Sequence, residues 1–382
     1  MNRRVLLGLL VGVVVVLVGA GVWWWRGEQT AAVGAAPGYV GLLAAPNQAG
    51  FAQALEPGGI ELPADLGAHE DYQTEWWYYT GNLEAADGHQ FGFQFTIFRN
   101  ALTPEMAEGV SESEWRTNQM YMAHFAVSDI GGEAFYAEER FSRGALGLAG
   151  AEAAPYHVWL EDWELVEVGE GVVRLVAEGE AMGLDLLLTQ TTPPVFHGED
   201  GLSQKGAERG NASYYYSFVQ QVAEGTVRIG EERFEVTGKA WKDHEYSTSA
   251  LSPGAVGWDW FSLQFDDGRA LMFFEIRRED GSLERFSSGS LIGAEGEVRD
   301  LKVEDWVIEV TDEWRSPHTG AVYPAGWEVA IPSEGLVMRV RPLLADQEWH
   351  GTATYWEGAV AFEGEANGVE VSGKGYVEMT GY

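Results

Sequence analysis

The residues best suited to chemistry are acids and a histidine set among large aromatic rings in the third quarter of the chain. Asp243, His244 and Glu245 follow one another directly, and Tyr246 comes next. A second segment begins after a short loop and carries Asp259 between two tryptophans. Carboxyl groups and a histidine can transfer protons, and aromatic rings can hold an apolar molecule. The stretch therefore favours a site for chemistry on, or tight binding of, an apolar ligand.

Both segments have the composition of β-strands, in which successive side chains point to opposite faces. Asp243 and Glu245 therefore share one face, and His244 and Tyr246 share the other. The first face offers two carboxyl groups, one of which burial could keep protonated. The second offers a histidine beside a phenol, which can transfer protons near neutral pH without a large pKa shift. The sequence leaves open which face meets a ligand.

Asp259 is a further candidate proton donor. Alternation gives it the same face as Phe261, whereas Trp258 and Trp260 share the opposite face. An acid on an apolar face is costly unless it is paired or protonated. The alternative interpretation is an aspartate at a strand end that is solvated or bonded to a turn.

An aromatic block further upstream is expected to contact a ligand. Glu75 and Trp77 share one face of this strand, and Trp76 and Tyr78 share the other. One row should enter a cavity while the other packs or meets solvent, and core packing of both rows is the alternative. His124 lies among apolar residues and is interpreted as an interior histidine rather than a catalyst. We count all five as candidate ligand-contacting residues, together with the tryptophan pair described above.

Metal and cofactor motifs are missing from the sequence. His69, His124 and His244 could converge with carboxylates, yet no metal-ligand spacing is visible. There is no GxSxG nucleophile elbow, no cysteine, and no phosphate-binding glycine loop in a βαβ unit. We therefore predict that the protein binds neither a metal ion nor a cofactor.

The elements that position these residues are predicted to be antiparallel strands. Segments 75–83 and 90–98 flank an Asp-Gly turn, and segments 262–265 and 270–276 flank another. Long amphipathic helices are scarce. This pattern indicates an all-β protein built from sandwiches or barrels.

Three segments recur in the same order, which indicates an internal duplication. The paired segments are the two hairpins, 161–163 with 304–306, and 236–241 with 371–376. We infer two similar β domains, 68–246 and 247–382. On this alignment Asp243 returns as Glu378, which favours an architectural role for Asp243. His244 has no counterpart in the second copy, so a site is expected within the first copy or between the copies.

The N-terminus is predicted to anchor the protein in a membrane. Residues 1–26 hold an uncharged apolar run of the ~20 residues that cross a bilayer. Arg3 and Arg4 should stay in the cytoplasm, which places the β domains outside it. A cleaved signal peptide and a secreted protein are the alternative, with a small-residue cleavage site at 33–35. Residues 27–67 read as a linker.

Composition limits the partners of the protein. The formal charge of −35 disfavours nucleic acid and anionic lipid surfaces. A hydrophobic content of 46% is enough for one large or two ordinary cores. The absence of cysteine excludes disulfides and lipidation on cysteine.

Three blocks, 69–99, 121–129 and 238–247, resemble the AttH-like family. This family is related to the carotenoid hydratases, or hydroxyneurosporene synthases, and is often labelled "predicted secreted hydrolase". The resemblance covers 68–382. It implies two tandem lipocalin-like β-barrels with an apolar ligand in or between them.

The resemblance also implies a reaction, because related members add water to an isolated carbon–carbon double bond. Such chemistry begins with proton delivery and passes through a carbocation, so it needs acids screened from water and aromatic rings. His244 or Asp259 would then supply or relay the proton, and Tyr246 would orient it. Trp258 or Trp260 would stabilise the positive charge. No motif for hydrolysis supports the "hydrolase" label.

The leading hypothesis is a membrane-tethered, extracytoplasmic protein that binds an isoprenoid or fatty ligand and hydrates or isomerises it. Whether the protein is an enzyme stays open. The alternative is a non-catalytic carrier that exchanges the ligand with a membrane transporter. A structural β-module without any ligand is the third interpretation.

Overall fold

Aromatic and β-branched residues alternate along most of the chain, and in a computed structural model these segments are β-strands. The structure describes residues 49–104, 113–249, 251–252 and 254–382. The predicted membrane segment and most of the predicted linker lie outside these ranges. Within them, no helix has the length and apolar character needed to span a bilayer. The three helices of the described residues are single 3-10 turns: Ala64–Leu66, Val303–Asp305 and Pro332–Glu334.

Thirteen strands form the first sheet. They are β1 (Thr74–Ala85), β2 (Gln90–Ala101), β3 (Gln119–Asp129), β4 (Ala134–Arg143), β5 (Ala149–Ala153), β6 (Tyr156–Leu160), β7 (Trp163–Gly169), β8 (Val172–Glu178), β9 (Met182–Gln190), β10 (Val195–Phe196), β11 (Leu202–Gln204), β12 (Ala212–Ile229) and β13 (Glu232–Ser249). The main path runs β4-β3-β2-β1-β13-β12-β9-β8-β7-β6-β5, and β10 and β11 pair with β12. The two halves of this path curl toward each other, because Phe95 of β2 and Phe125 of β3 contact Trp163 of β7.

Ten strands form the second sheet. They are β14 (Ala255–Phe265), β15 (Ala270–Arg278), β16 (Ser288–Ile292), β17 (Val298–Lys302), β18 (Val307–Arg315), β19 (Val322–Ile331), β20 (Leu336–Pro342), β21 (Glu348–His350), β22 (Thr354–Ala366) and β23 (Val369–Thr380). Here β14 pairs with both β15 and β23, as β1 pairs with β2 and β13 in the first sheet. The all-β class is confirmed, with two antiparallel sheets that repeat one central arrangement.

The two hairpins predicted from the sequence are present. β1 and β2 are joined around Gly88, which has a φ of +89°, and β14 and β15 around Gly268, with a φ of +90°. These left-handed conformations favour glycine because it has no Cβ.

The three largest apolar clusters of the described residues define most of the interior. One fills the inside of the first sheet and includes Trp77 and Phe95; a second fills the second sheet and includes Trp327. A third lies between the sheets and includes Tyr78 and Trp260. Each curled sheet thus has its own core, and the contact between them is a further buried layer.

The sheets approach each other closely at Gly92 of β2. A Cβ there would lie 2.7 Å from the Cβ of Ala359 and 2.7 Å from the hydroxyl of Tyr376. Hydrogen bonds also cross the boundary: Ser128 Oγ to Gln347 Oε1 (2.6 Å), Asn82 Nδ2 to Gly375 O (3.1 Å), Gln264 Nε2 to Val219 O (2.7 Å) and Tyr78 OH to Glu357 Oε1 (2.5 Å). The boundary is therefore specifically packed, and it fixes the strands that line the site described next.

Candidate functional site

A pocket that opens to solvent lies between the two sheets, and the atom-free space in it and at its mouth is about 690 Å³. Its lining combines aromatic rings, three carboxyl groups and one lysine: Trp76, Tyr78, Lys205, Tyr215, Asp243, Glu245, Leu251, Trp258, Trp260, Phe274, Ile276 and Glu378. Both sheets contribute to this wall. An apolar pocket with a few convergent polar groups is the usual form of a small-molecule site.

Alternation along β1 separates lining residues from core residues. Trp76 and Tyr78 face the pocket, whereas Trp77 and Tyr79 are fully buried in the core of the first sheet. Glu75 lies on the core side with them. One aromatic row therefore enters a cavity and the other packs.

The same alternation divides the acidic motif on β13. Asp243 and Glu245 line the pocket, and His244 points to the opposite face, where it contacts Trp77. On β14, Trp258 and Trp260 line the pocket. Both faces inferred from the sequence are present. The face with Asp243 and Glu245 meets the cavity, and the face with His244 packs against the core of the first sheet.

Asp243 is held by three donors. Tyr215 OH donates to Oδ2 (2.9 Å), Trp241 Nε1 donates to Oδ1 (2.6 Å), and Ser217 Oγ donates to Oδ1. Burial, with the nearby charge of Glu245, raises the pKa of Asp243 to about 7 despite these bonds. Asp243 is therefore able to hold and release a proton at neutral pH.

A chain of hydroxyls and one imidazole leads away from Asp243. His197 Nε2 lies 2.7 Å from Ser217 Oγ, and His197 Nδ1 lies 2.9 Å from Ser290 Oγ on the second sheet. Burial and the charge of Lys205 lower the pKa of His197 to about 3, so the ring is neutral. Because Ser217 donates to Asp243, Nε2 carries the proton and Ser290 donates to Nδ1. Transfer of a proton along this chain, from Ser290 through His197 and Ser217 to Asp243, would reverse the direction of every hydrogen bond in it.

Glu245 forms the charged pair of the pocket. Lys205 Nζ lies 3.1 Å from Glu245 Oε1, and Ser213 Oγ donates to the same oxygen. The ammonium also lies 4.0 Å from the ring centroid of Phe274. This lysine is 8% exposed, so the pair is largely shielded from water.

Glu378 supplies the third carboxyl group, from the second sheet. Trp258 Nε1 donates to its Oε2 at 3.1 Å. Burial raises the pKa of Glu378 to about 7, and the charges of Asp243 and Glu245 contribute. Glu357 lies beside Glu378 on the neighbouring strand, and burial raises its pKa well above the ordinary value. Asp243 and Glu378 therefore both line the pocket with a pKa of about 7, and the charge of Asp243 contributes to the raised pKa of Glu378.

His244 belongs to a separate network at the end of the first sheet. Its Nε2 lies 2.8 Å from Glu75 Oε1, and His69 Nδ1 lies 2.7 Å from the same oxygen. Arg99 Nε donates to Glu75 Oε2 at 2.7 Å. Tyr246 stacks on His69 with ring centroids 3.5 Å apart. Neither His244 nor Tyr246 lines the pocket.

The pKa values in this network follow from burial and from the contacts of each group. Burial opposes ionisation of Glu75, but Arg99 and the two histidines outweigh it and hold the pKa of Glu75 well below its usual range. Burial lowers the pKa of His244 to about 4. Burial also acts to lower the pKa of His69, but bonds to Asp65 and Glu75 raise it to about 9.

Within the described ranges, His69, Glu75 and His244 are the group whose ligand atoms lie close enough to share a metal ion, within 4.8 Å of one another. Arg99 already neutralises Glu75, and each histidine donates to it. Both oxygens of Glu75 are therefore already bonded within the protein, one to the two histidines and the other to Arg99.

Asp259 and His124 also lie away from the pocket lining. Asp259 accepts from Tyr382 OH at 2.9 Å and lies 3.3 Å from Arg277 Nε, and burial raises its pKa to about 6. His124 is stacked on Trp349 with centroids 4.2 Å apart, and burial lowers its pKa. Asp259 therefore faces the interior of the second sheet, and His124 is an interior histidine at the contact between the sheets.

Several residues of the site match no sequence motif. Lys205 and Tyr215 line the pocket and His197 bonds Ser217 behind Asp243, and only the fold brings them together. Glu378 could have been singled out, because the alignment of 236–241 with 371–376 places it opposite Asp243, and both acids line the pocket. Strand pairing gives a different equivalence, since Trp241 pairs with Thr80 and Glu378 pairs with Trp260, the matching position of the second hairpin.

Comparison with solved structures supports the fold. The crystal structure of an AttH protein from Nitrosomonas europaea has a TM-score of 0.77 at 37% identity, and the match covers 87% of this chain and 100% of that one. Kievitone hydratase from Nectria haematococca has a TM-score of 0.64 at 15% identity, over 88% and 98% of the two chains. At that identity the second likeness shows a shared fold alone.

Sequence relatives point to the same family. Dehydratase asqC from Emericella nidulans is 24% identical over 220 residues, which are 54% of this chain and 60% of asqC. Kievitone hydratase from Fusarium solani subsp. phaseoli is 28% identical over 142 residues, which are 36% and 39% of the two proteins. The chain thus spans less than two thirds of either relative. A sequence profile of the AttH-like family matches residues 53–382, and the chain therefore belongs to the AttH-like family.

Proposed function

We propose that this protein adds water to, or removes water from, a carbon–carbon double bond of a lipophilic ligand held between its two sheets. The observation that carries the proposal is Asp243, a carboxyl group that faces an aromatic pocket and whose pKa is raised to about 7 by burial. A proton donor of this kind is what alkene hydration requires. The names of two relatives, a hydratase and a dehydratase, support the same chemistry.

Asp243 is the proton donor of the proposed reaction. In hydration its O–H bond breaks and a C–H bond forms at one alkene carbon, which leaves a positive charge at the other. The rings of Trp76, Trp258 and Trp260 stabilise that charge. A water molecule then forms the C–O bond and passes one proton to Glu378. In the reverse direction the same groups remove water.

Proton balance explains why two acids are needed. Each hydration takes one proton from Asp243 and gives one to Glu378, so a proton returns to Asp243 before the next turnover. Both carboxyl groups have a pKa of about 7, and their repulsion favours the state with one protonated and one ionised. Asp243 and Glu378 line the same pocket, so a water molecule in it can carry the proton from Glu378 back to Asp243.

We assign the donor to Asp243 rather than to His244 or Asp259, because neither of these lines the pocket. The contacts of His244 and Tyr246 support a positioning role, since His244 bonds Glu75 of β1 and Tyr246 stacks on His69, which precedes β1. Asp259 is paired inside the second sheet.

The proposal includes the setting of the protein. Each curled sheet is interpreted as a lipocalin-like barrel, with the ligand between two such barrels. The apolar N-terminal segment tethers them to a membrane, outside the cytoplasm, where a lipophilic ligand is available. A carrier that exchanges its ligand with a membrane transporter is the second candidate, because the aromatic lining would bind an apolar molecule without any reaction.

The test is product analysis in deuterium oxide. Full-length protein is incubated with a lipid extract of the cells that produce it, and the extract is analysed by mass spectrometry. We expect one compound to gain a molecule of heavy water and to keep one deuteron on carbon. Asp243→Asn should lower this rate by about a hundredfold or more.

Asp259→Asn is the matched control, because it removes a buried, perturbed aspartate outside the pocket and should leave most of the rate. Equal rates for wild type and Asp243→Asn would overturn the assignment of the donor. A ligand that binds wild type and leaves with unchanged mass would replace the proposed reaction by the carrier function.

A further inference from the structure

We propose that Lys205 and Glu245 together bind a hydroxyl group of an uncharged lipophilic ligand. The substrate class is then a neutral alcohol or phenol with an apolar body, rather than a fatty acid or a phosphate ester. This inference rests on the pocket of the proposed function and names the molecules it accepts.

The contacts of Lys205 leave donors available. Its ammonium has one carboxylate oxygen at 3.1 Å, and it faces the rings of Phe274 and Tyr215 at 4.0 Å and 5.0 Å from their centroids. An ammonium has three N–H donors, and the single carboxylate oxygen beside it can accept at most one of them. Among the described residues no second oxygen acceptor pairs with this Nζ. An acceptor on a ligand would complete the bonding of a lysine that is 8% exposed.

Glu245 leaves an acceptor available beside this donor. Both Lys205 and Ser213 bind its Oε1. No described residue donates to its Oε2, and this carboxylate lines the pocket. A donor and an acceptor therefore lie next to each other at the wall. A hydroxyl group matches both, because it accepts a bond from Lys205 and donates one to Glu245.

The charges of the pocket select against an anion. A carboxylate that approached Lys205 would also meet Glu245, which is 3.1 Å from the ammonium. Asp243 and Glu378 lie in the same lining, and Glu357 is next to Glu378. Three carboxyl groups thus share the lining with a single lysine. The formal charge of −35 adds a long-range repulsion of anions.

A matched ligand series tests this selectivity on the full-length wild-type protein. Isothermal titration calorimetry at pH 8 compares 1-decanol, decyl methyl ether and decanoate. We expect decanol to bind about tenfold more tightly than the ether, which accepts but cannot donate, and more tightly still than decanoate. If the ether bound as tightly as decanol, the ligand hydroxyl would not donate a bond to Glu245. If decanoate bound as tightly as decanol or more tightly, the exclusion of anions would be overturned.

Variants test the residues. Lys205→Met should lower the affinity for decanol and for the ether alike, by about tenfold, because both ligands accept a bond from Lys205. This change leaves Glu245 buried without its partner. A second variant, Lys205→Met with Glu245→Leu, therefore removes the whole charged pair. In this double variant decanol and the ether should bind equally. Lys374→Met, which removes a lysine 3.8 Å from Glu84 at the surface, is the control and should bind like wild type. Retained preference for decanol in the double variant would overturn the proposal.

Binding and turnover separate the two proposals. Selective binding of decanol with no deuterium on carbon in the earlier experiment would refute the hydration reaction and retain this recognition. Incorporation of deuterium together with tight binding of decanoate would support the hydration reaction and refute the recognition of a neutral hydroxyl group.

Discussion

At the scale of single residues, environment rather than residue type separates the acids of this protein. Asp243 and Glu75 are both fully enclosed, yet burial raises the pKa of one and Arg99 holds that of the other low. The sequence predicts that Asp243 and His244 point to opposite faces. It could not predict which face meets the cavity, because strands of the second sheet, distant in sequence, cover Asp243.

The pH dependence of turnover should follow Asp243. Its protonated form donates, so the rate should fall as pH rises through about 7. Ser217→Ala removes a bond that favours the charged form, so the pKa of Asp243 should rise and the falling limb of the profile should move to higher pH. A pH–rate profile measures both effects. Ser128→Ala, at a buried serine that bonds Gln347, should not move the limb, and an unshifted Ser217→Ala profile would contradict the role of Asp243.

The same pKa shift should be visible in stability. Asp243 has an ordinary aspartate pKa of 3.8 when unfolded and a pKa of about 7 when folded, so the folded state binds the proton more tightly. Its contribution is fully present below about pH 4 and is lost as pH rises to about 7, at roughly 1 kcal/mol per pH unit. Urea unfolding of wild type and Asp243→Asn at a series of pH values should show a flatter profile for the variant. Parallel profiles would mean that Asp243 titrates normally.

At the scale of elements, strand alternation decides which aromatic residues serve the site. Trp76 and Tyr78 line the pocket, and Trp77 and Tyr79 fill the core of the first sheet. The two rows and the β1–β2 hairpin were predictable from local pattern. The wall formed by β23 was not, because that strand joins β14 only through pairing across more than a hundred residues.

Neighbouring tryptophans on β1 should therefore respond differently to truncation. Trp77→Ala should destabilise the protein by about 3–5 kcal/mol, because it opens a cavity in a fully buried core. Trp76→Ala should cost less stability and weaken binding of 1-decanol. Urea unfolding and calorimetry on both variants provide the comparison. Similar losses of stability and affinity in the two variants would argue against the division of faces.

At the scale of the whole molecule, the pocket forms where two sheets of the same central arrangement meet. Strand β13 of the first sheet supplies Asp243, and β23 of the second sheet supplies Glu378. The sequence indicates the duplication, since three segments recur in order. It does not indicate that the copies pack against each other, because the residues that join them, such as Tyr78 and Glu357, match no local pattern.

The two sheets should unfold together. A buried apolar layer and several hydrogen bonds join them, so separating the sheets exposes Trp260 and leaves the Glu357 carboxyl without the Tyr78 hydroxyl. We expect one urea transition when tryptophan fluorescence and far-ultraviolet circular dichroism are compared. Tyr78→Phe should shift that transition to lower urea. Two separate transitions in wild type would show that each sheet is stable alone.

The measurement that tests the central claim most directly is trapping of the substrate by Asp243→Asn. The variant is incubated with a lipid extract of the producing cells, repurified, and examined by native mass spectrometry, and the released ligand is then given to wild type. The proposed role of Asp243 predicts a bound compound that wild type converts into one differing by a single molecule of water. A retained compound that wild type leaves unchanged in mass would contradict catalysis in the inter-sheet pocket.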